Sequence, residues 1–190
     1  SLVIGADYIS DPLNRLAGQI PDVPLLRFDM VKCPLPSASV DAVVLLNVLE
    51  HIEDHRAAVN QVARILKPGG IAVVEVPAGP RLYDVYDKYL RHFRRYRQAG
   101  LCRLLEREGL RVIERTHLGA FLYPAFAVTK RRNQRWLKMP EDVQRRIVGN
   151  SITASGRNPL VQWAFALEAL GSRWFNYPIG IRCAAVAVKS

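Results

Sequence analysis

The chain has 190 residues, of which 49% are hydrophobic and 23% charged, and its formal net charge is +10. This is the composition of one soluble globular domain with a sizeable core, and no apolar run approaches the roughly 18 residues that a membrane span needs. The charge is uneven: residues 1–80 hold 6 Lys and Arg against 9 Asp and Glu, whereas residues 81–190 hold 21 against 8, a basic half suited to an anionic substrate, a nucleic acid or a membrane surface.

In chain order, residues 2–6 (LVIGA) read as a strand running into Asp7. The spacing predicts a helix over 11–19 with Pro12 in its first turn. A second strand follows at 25–28 and ends in Asp29. Residues 34–37 form a loop. Two apolar runs, 42–46 and 71–76, then flank a helical pattern in which Val59, Val62, Ala63 and Leu66 share one face. The runs do not alternate with polar residues, which is how a parallel strand buried on both faces reads. Asp54 suits the helix N-cap, and Pro68 with Gly69-Gly70 stops the helix and turns the chain back. The stretch 40–77 is therefore a strand–helix–strand unit with a right-handed crossover. Ligands in such sheets bind beyond the carboxyl ends of the strands, which makes Asn47-Val48-Leu49-Glu50-His51 a candidate site.

Beyond Pro77 the pattern changes. Residues 82–96 carry four Tyr within a dense Arg and His cluster. Residues 100–109 form a helix with Leu101, Leu104 and Leu105 on one face and Gly109 as its stop. Residues 111–117 suit a strand, and 117–128 are mostly apolar beside Lys130-Arg131-Arg132. A short charged helix is expected at 140–147, an apolar helix with Trp163 and Phe165 at 160–170, and a last strand at 181–188. Cys33, Cys102 and Cys183 are too far apart for a metal spacing and read as buried small hydrophobes in a reducing cytoplasm.

Several motifs occur together and in order: Gly5-Ala6-Asp7, Asp29-Met30, Leu35-Pro36 with Val40-Asp41, Asn47 through Ile52, Leu66 through Gly70, and His92-Phe93-Arg94-Arg95-Tyr96. No piece is specific alone. Together they resemble a class I S-adenosylmethionine-dependent methyltransferase, of the methyltransferase type 11/12-like small-molecule subgroup. The resemblance implies an α/β, Rossmann-like, doubly wound and mainly parallel sheet with helices on both faces and an antiparallel last strand. It implies a single methyltransferase domain over 1–190, with 1–78 on the cofactor side and 79–190 on the substrate side with lid-like insertions. The family's first strand and its Gly-rich E/D-x-G-x-G loop have no counterpart here, so an N-terminal truncation is expected.

The implied cofactor is S-adenosyl-L-methionine. Asp7 would take the ribose hydroxyls with Tyr8 beside it, Asp29 and the Met30 amide would meet the adenine, and Asn47 the methionine part. Methyl transfer is an in-line displacement on an activated sulfonium, so positioning can supply much of the catalysis. Where the acceptor is a hydroxyl or amine a base helps, and His51 and His92 are the catalytic candidates. Arg95 and Tyr96 would bind the substrate, Arg95 by holding an anionic group. Each residue also has a plain reading: Asp7 as a turn acid, Asp41 as structural, Glu50 as a helix cap, His51 as a histidine under a loop, 92–96 as a solvated face, and Tyr83, Tyr86 and Tyr89 as packing.

The expected reaction is methylation of a small-molecule, glycolipid or lipid-linked acceptor, with peripheral contact to an anionic membrane and no transmembrane segment. A non-catalytic binding module is the alternative that the missing Gly-rich loop favours. A nucleic-acid methyltransferase is suggested by the basic half but lacks an N/D-P-P-Y-type motif after the fourth strand. The absence of G-x-G-x-x-G argues against a dinucleotide oxidoreductase.

Overall fold

The computed structural model describes residues 2–153, 168 and 176–190. The helix expected at 160–170, with Trp163 and Phe165, lies outside the described residues except at Glu168.

The centre is the expected strand–helix–strand unit. β3 (Val40–Leu46) runs parallel to β4 (Leu66–Pro77), with Ala42 opposite Ile71 and Leu46 opposite Glu75. Between them α2 (His55–Ile65) buries Ala58, Val59, Val62, Ala63 and Ile65, the face that the apolar spacing dictates. Its N-cap is Asp54, whose carboxylate accepts from the Ala57 amide at 2.9 Å. Asp54→Ala is expected to cost about 1 kcal/mol in urea denaturation. No change would mean that solvent caps this helix equally well. α2 ends at Ile65 and β4 starts at Leu66, ahead of the stop expected at Pro68 and Gly69-Gly70; Gly70 lies within β4 at close quarters, where a Cβ would be 2.8 Å from the Lys67 carbonyl oxygen and 3.1 Å from that of Asp41.

The main sheet has the order β3–β4–β6–β5, where β5 is Leu110–Leu118 and β6 is Arg182–Lys189. β6 is antiparallel to both neighbours, so β3, β4 and β5 point one way and only the last strand is reversed, as expected. Ala72, Val74 and Val76 of β4 and Cys183, Ala185 and Ala187 of β6 are buried, as are Leu101, Leu104 and Leu105 of α4 (Gln98–Arg107). The core lies between this face of the sheet and the pair α2 and α4. Burial of residues 42–46 on both faces does not hold. Leu45 is 7% exposed, but Val44 and Leu46 are 59% and 55% exposed, because among the described residues only the face that carries Leu45 is packed into the core.

β1 (Gly5–Asp7) and β2 (Leu25–Arg27) pair in parallel as a separate two-stranded sheet, with α1 (Ser10–Ala17) between them in sequence. A turn at Met30–Lys32 ties this pair to the rest, because Met30 and Val31 pack against the core. After β4 come α3 (Val85–Tyr89), α5 (Tyr123–Asn133) and α6 (Glu141–Thr153). The charged helix expected at 140–147 thus continues to Thr153. The apolar stretch 117–128 divides between the end of β5 and α5. Among the described residues, no helix is long and apolar enough to cross a membrane.

Candidate functional site

β3 and β4 end on the same side of the sheet, and two backbone reversals gather side chains there. The first is at Asn47, which adopts φ 54 and donates its amide to the Glu75 carbonyl at 2.9 Å. Asn tolerates this left-handed conformation better than most residues. The chain then enters a single 3-10 turn, Leu49–His51. Leu49 and Glu50 are fully buried, while His51 stays exposed.

The second reversal follows α3. Asp84 and Asp87 form a capping box: Asp84 accepts from the amides of Tyr86 and Asp87, and Asp87 accepts from the Asp84 amide. Arg91, at φ 57, then sends the chain back over the strand ends. The Phe93 amide donates to the Glu50 carbonyl at 2.8 Å and the Tyr96 amide to the Pro77 carbonyl at 2.8 Å. This brings the His92 and His51 rings to a centroid distance of 4.6 Å, nearly perpendicular at 83°.

Asp87 is the hub beneath them. Its Oδ1 meets His92 Nδ1 at 2.9 Å and Arg95 at 2.9 Å, and its Oδ2 accepts from Lys130 at 2.9 Å. Lys130 also donates to Asp84 at 2.7 Å. Burial alone would raise the Asp87 pKa, but His92, Arg95 and Lys130 outweigh it and hold the carboxyl well below the usual carboxylate range.

Both expected substrate-binding side chains are drawn inward. The Arg95 guanidinium is turned inward, donating to the carbonyls of Ala78 at 2.8 Å and Ile181 at 3.4 Å as well as to Asp87. It clamps strand ends rather than holding an acceptor's anionic group. Tyr96 is also buried, its hydroxyl between His55 Nδ1 at 2.8 Å and the Leu49 carbonyl at 3.1 Å. Burial pushes its pKa up. Lys130 belongs to the buried network and so is withdrawn from any membrane-facing patch, while Arg131 and Arg132 remain exposed.

Glu50 is not a helix cap. It is fully buried, and neither carboxylate oxygen has a hydrogen-bond partner of normal geometry among the described residues. Burial pushes its pKa up against the opposing influence of its own backbone amide and of the His92 and Arg182 charges. Burial and the neighbouring His92 push His51 down, while the Leu90 carbonyl and the Asp7 charge oppose this. Asp7 at the end of β1 is therefore within electrostatic reach of His51.

The remaining cofactor-side candidates stand at strand ends. Asp7 Oδ1 accepts from the Ile9 amide at 2.8 Å, and Asp29 Oδ1 accepts from the Val31 amide at 3.0 Å, so each acid holds its own turn. Asp7 Oδ2 carries no hydrogen bond among the described residues, leaving an acceptor for a ribose hydroxyl. Met30 is half-buried against the core, and Tyr8 is 67% exposed. This donor and acceptor set fits a nucleoside-bearing cofactor. His55, the place of Lys130 in the Asp87 network and the buried state of Glu50 were absent from the sequence reading. The Asp84-x-x-Asp87 spacing was the one legible signal for a capping box.

Residues 1–74 match the family model described as "Methyltransferase domain". A "Probable S-adenosylmethionine-dependent methyltransferase" of Mycolicibacterium smegmatis is 35% identical over 112 residues, covering 58% of this chain and 44% of that protein. A demethylmenaquinone methyltransferase of Corynebacterium urealyticum is 36% identical over 90 residues, covering 46% and 38%. The chain thus spans less than half the length of these relatives. Among solved structures, a methyltransferase from Mesorhizobium loti superposes with TM-score 0.60 at 18% identity, covering 100% of this chain and 81% of that one. One from Archaeoglobus fulgidus gives 0.57 at 19%, covering 98% and 75%. Residues 1–74 are thus similar to the methyltransferase-domain family, and the chain shares the fold of solved S-adenosylmethionine-dependent methyltransferases.

Proposed function

We propose that the protein transfers a methyl group from S-adenosyl-L-methionine to a small-molecule, glycolipid or lipid-linked acceptor. The observation that carries this reading is the placement of Asp7, Asp29 and Asn47 at strand ends, with the His51–His92 pair beyond β3. When bound, the cofactor supplies a sulfonium methyl group. The chain supplies its position through Asp7, Asp29 and Asn47, and His51 or His92 takes the acceptor's proton. Residues 1–78 form the cofactor side and 79–190 the acceptor side. A cleft of about 280 Å³, lined by Ala78, Gly79, Tyr96, His117, Tyr123 and Ile179, opens at the end of β4 and suits an acceptor. Exposed Phe121, Val128, Arg131 and Arg132 suit peripheral contact with an anionic membrane.

A second reading is a binding module that does not catalyse. Calorimetry with S-adenosylhomocysteine separates the readings when combined with an assay of its release from S-adenosylmethionine. One relative is named for demethylmenaquinone, so its reduced form is the first acceptor to test. Binding together with acceptor-dependent release is expected. Binding without release on any acceptor would favour the module, and no binding would sink both.

A further inference from the structure

We infer that Glu50, His51 and His92 form a binding site for one divalent transition-metal cation of the zinc class. One ligand atom from each residue lies within 4.8 Å of the other two. A tetrahedral ion with bonds of about 2.0–2.2 Å sets its ligands about 3.3–3.6 Å apart, so the trio closes by at most about 1.5 Å on binding.

Three observations aim these groups at one point. The buried Glu50 carboxylate has no hydrogen-bond partner of normal geometry among the described residues, and a carboxylate left in that state costs several kcal/mol unless it is protonated or meets a cation. His92 is oriented by Asp87 at 2.9 Å through Nδ1. Asp87 can only accept, so Nδ1 donates to it and Nε2 is the ring nitrogen left for a metal. This is the carboxylate–histidine arrangement that supports metal-bound imidazoles. His51 is exposed on the outer side, with the Leu90 carbonyl available to its other ring nitrogen and the Asp7 charge close by. It provides the path by which an ion enters.

Two imidazoles and one carboxylate suit zinc, cobalt or iron, and disfavour magnesium or calcium, which require oxygen ligands. Three protein ligands leave at least one coordination position open. Coordination and proton acceptance exclude one another, because the metal occupies the lone pair that would take a proton. The inference rests on side-chain geometry and does not depend on methyl transfer.

The experiment is titration of the untagged 190-residue chain with Zn²⁺ by calorimetry, and with Co²⁺ by visible absorption. One equivalent is expected to bind, with cobalt d–d bands and a rise in Tm. Glu50→Gln preserves the shape of the side chain and removes the buried charge, so it is expected to fold. It should lose the cobalt bands and the zinc-induced Tm rise, and His92→Asn should weaken zinc binding at least 10-fold. Absence of stoichiometric binding by the wild type would overturn the inference, as would Glu50→Gln binding as tightly as the wild type. Calorimetry with S-adenosylhomocysteine on the same preparation reads the cofactor site independently.

Discussion

Replacing Asp87 with Ala is expected to destabilise the chain by about 3–5 kcal/mol, the cost of leaving buried charges without their partner. The carboxylate is 1% exposed and meets His92, Arg95 and Lys130, whose side chains are 11%, 3% and 11% exposed. With Asp87 gone, Arg95 loses its anion and keeps only two carbonyls, while Lys130 keeps Asp84. The α3 cap also loses its second half, because Asp87 accepts from the Asp84 amide at 3.0 Å. Lys130 lies 5.5 Å and Arg95 5.4 Å from the centre of the Phe126 ring, so the same loss loosens α5 against the strand ends. A domain stabilised by about 5–15 kcal/mol would then be close to unfolding at 37 °C. The check is the urea midpoint of Asp87→Ala against the wild type. A loss under about 1 kcal/mol would show that water reaches these cations and that the network is decorative. Lys130→Met should cost less, since Asp87 keeps Arg95 and His92.

The second large effect is expected on ligand affinity. Asp7→Ala should weaken S-adenosylhomocysteine binding by about 1.5–3 kcal/mol, the worth of hydrogen bonds to a charged group, or about 10–150-fold. Asp7 ends β1 with one oxygen engaged by the Ile9 amide, and it acts electrostatically on His51. Asp7→Asn separates two roles, because it keeps an acceptor for the Ile9 amide and removes the charge. Weakened binding in both variants, with stability retained in Asp7→Asn, supports the ribose contact. Unchanged affinity in both would make Asp7 a turn residue and break the assignment of strands to cofactor positions.

The strand–helix–strand unit, the Asp54 cap and the apolar face of α4 were all legible in the sequence, whereas the reversed last strand was implied only by the family resemblance. Each of the first three depends on neighbours within about one or two turns of chain. Apolar spacing and a capping side chain act locally, so residues 40–77 declare most of their structure without reference to the rest. The site was legible in part for the same reason. Asn47 to His51 follows β3, and the carboxyl ends of parallel strands are where such sheets bind ligands.

Only the tertiary structure decided which way the site's side chains point. Arg95 and Tyr96 belong to a segment rich in charge and aromatic rings, which read as an acceptor-binding surface. The left-handed turn at Arg91 and the bridge between Ala78 and Tyr96 lay that segment back across the strand ends and bury both residues. Lys130 lies 43 residues from Asp87 in sequence and contacts it directly. No local pattern encodes that distance. Glu50 and His51 are neighbours in the same short turn, yet one is sealed in the core and the other faces solvent. Their sequence determined that a carboxylate and an imidazole would stand at the end of a strand. Which of them lost its water was decided by the residues that packed over it, because desolvation is a property of the assembled surroundings.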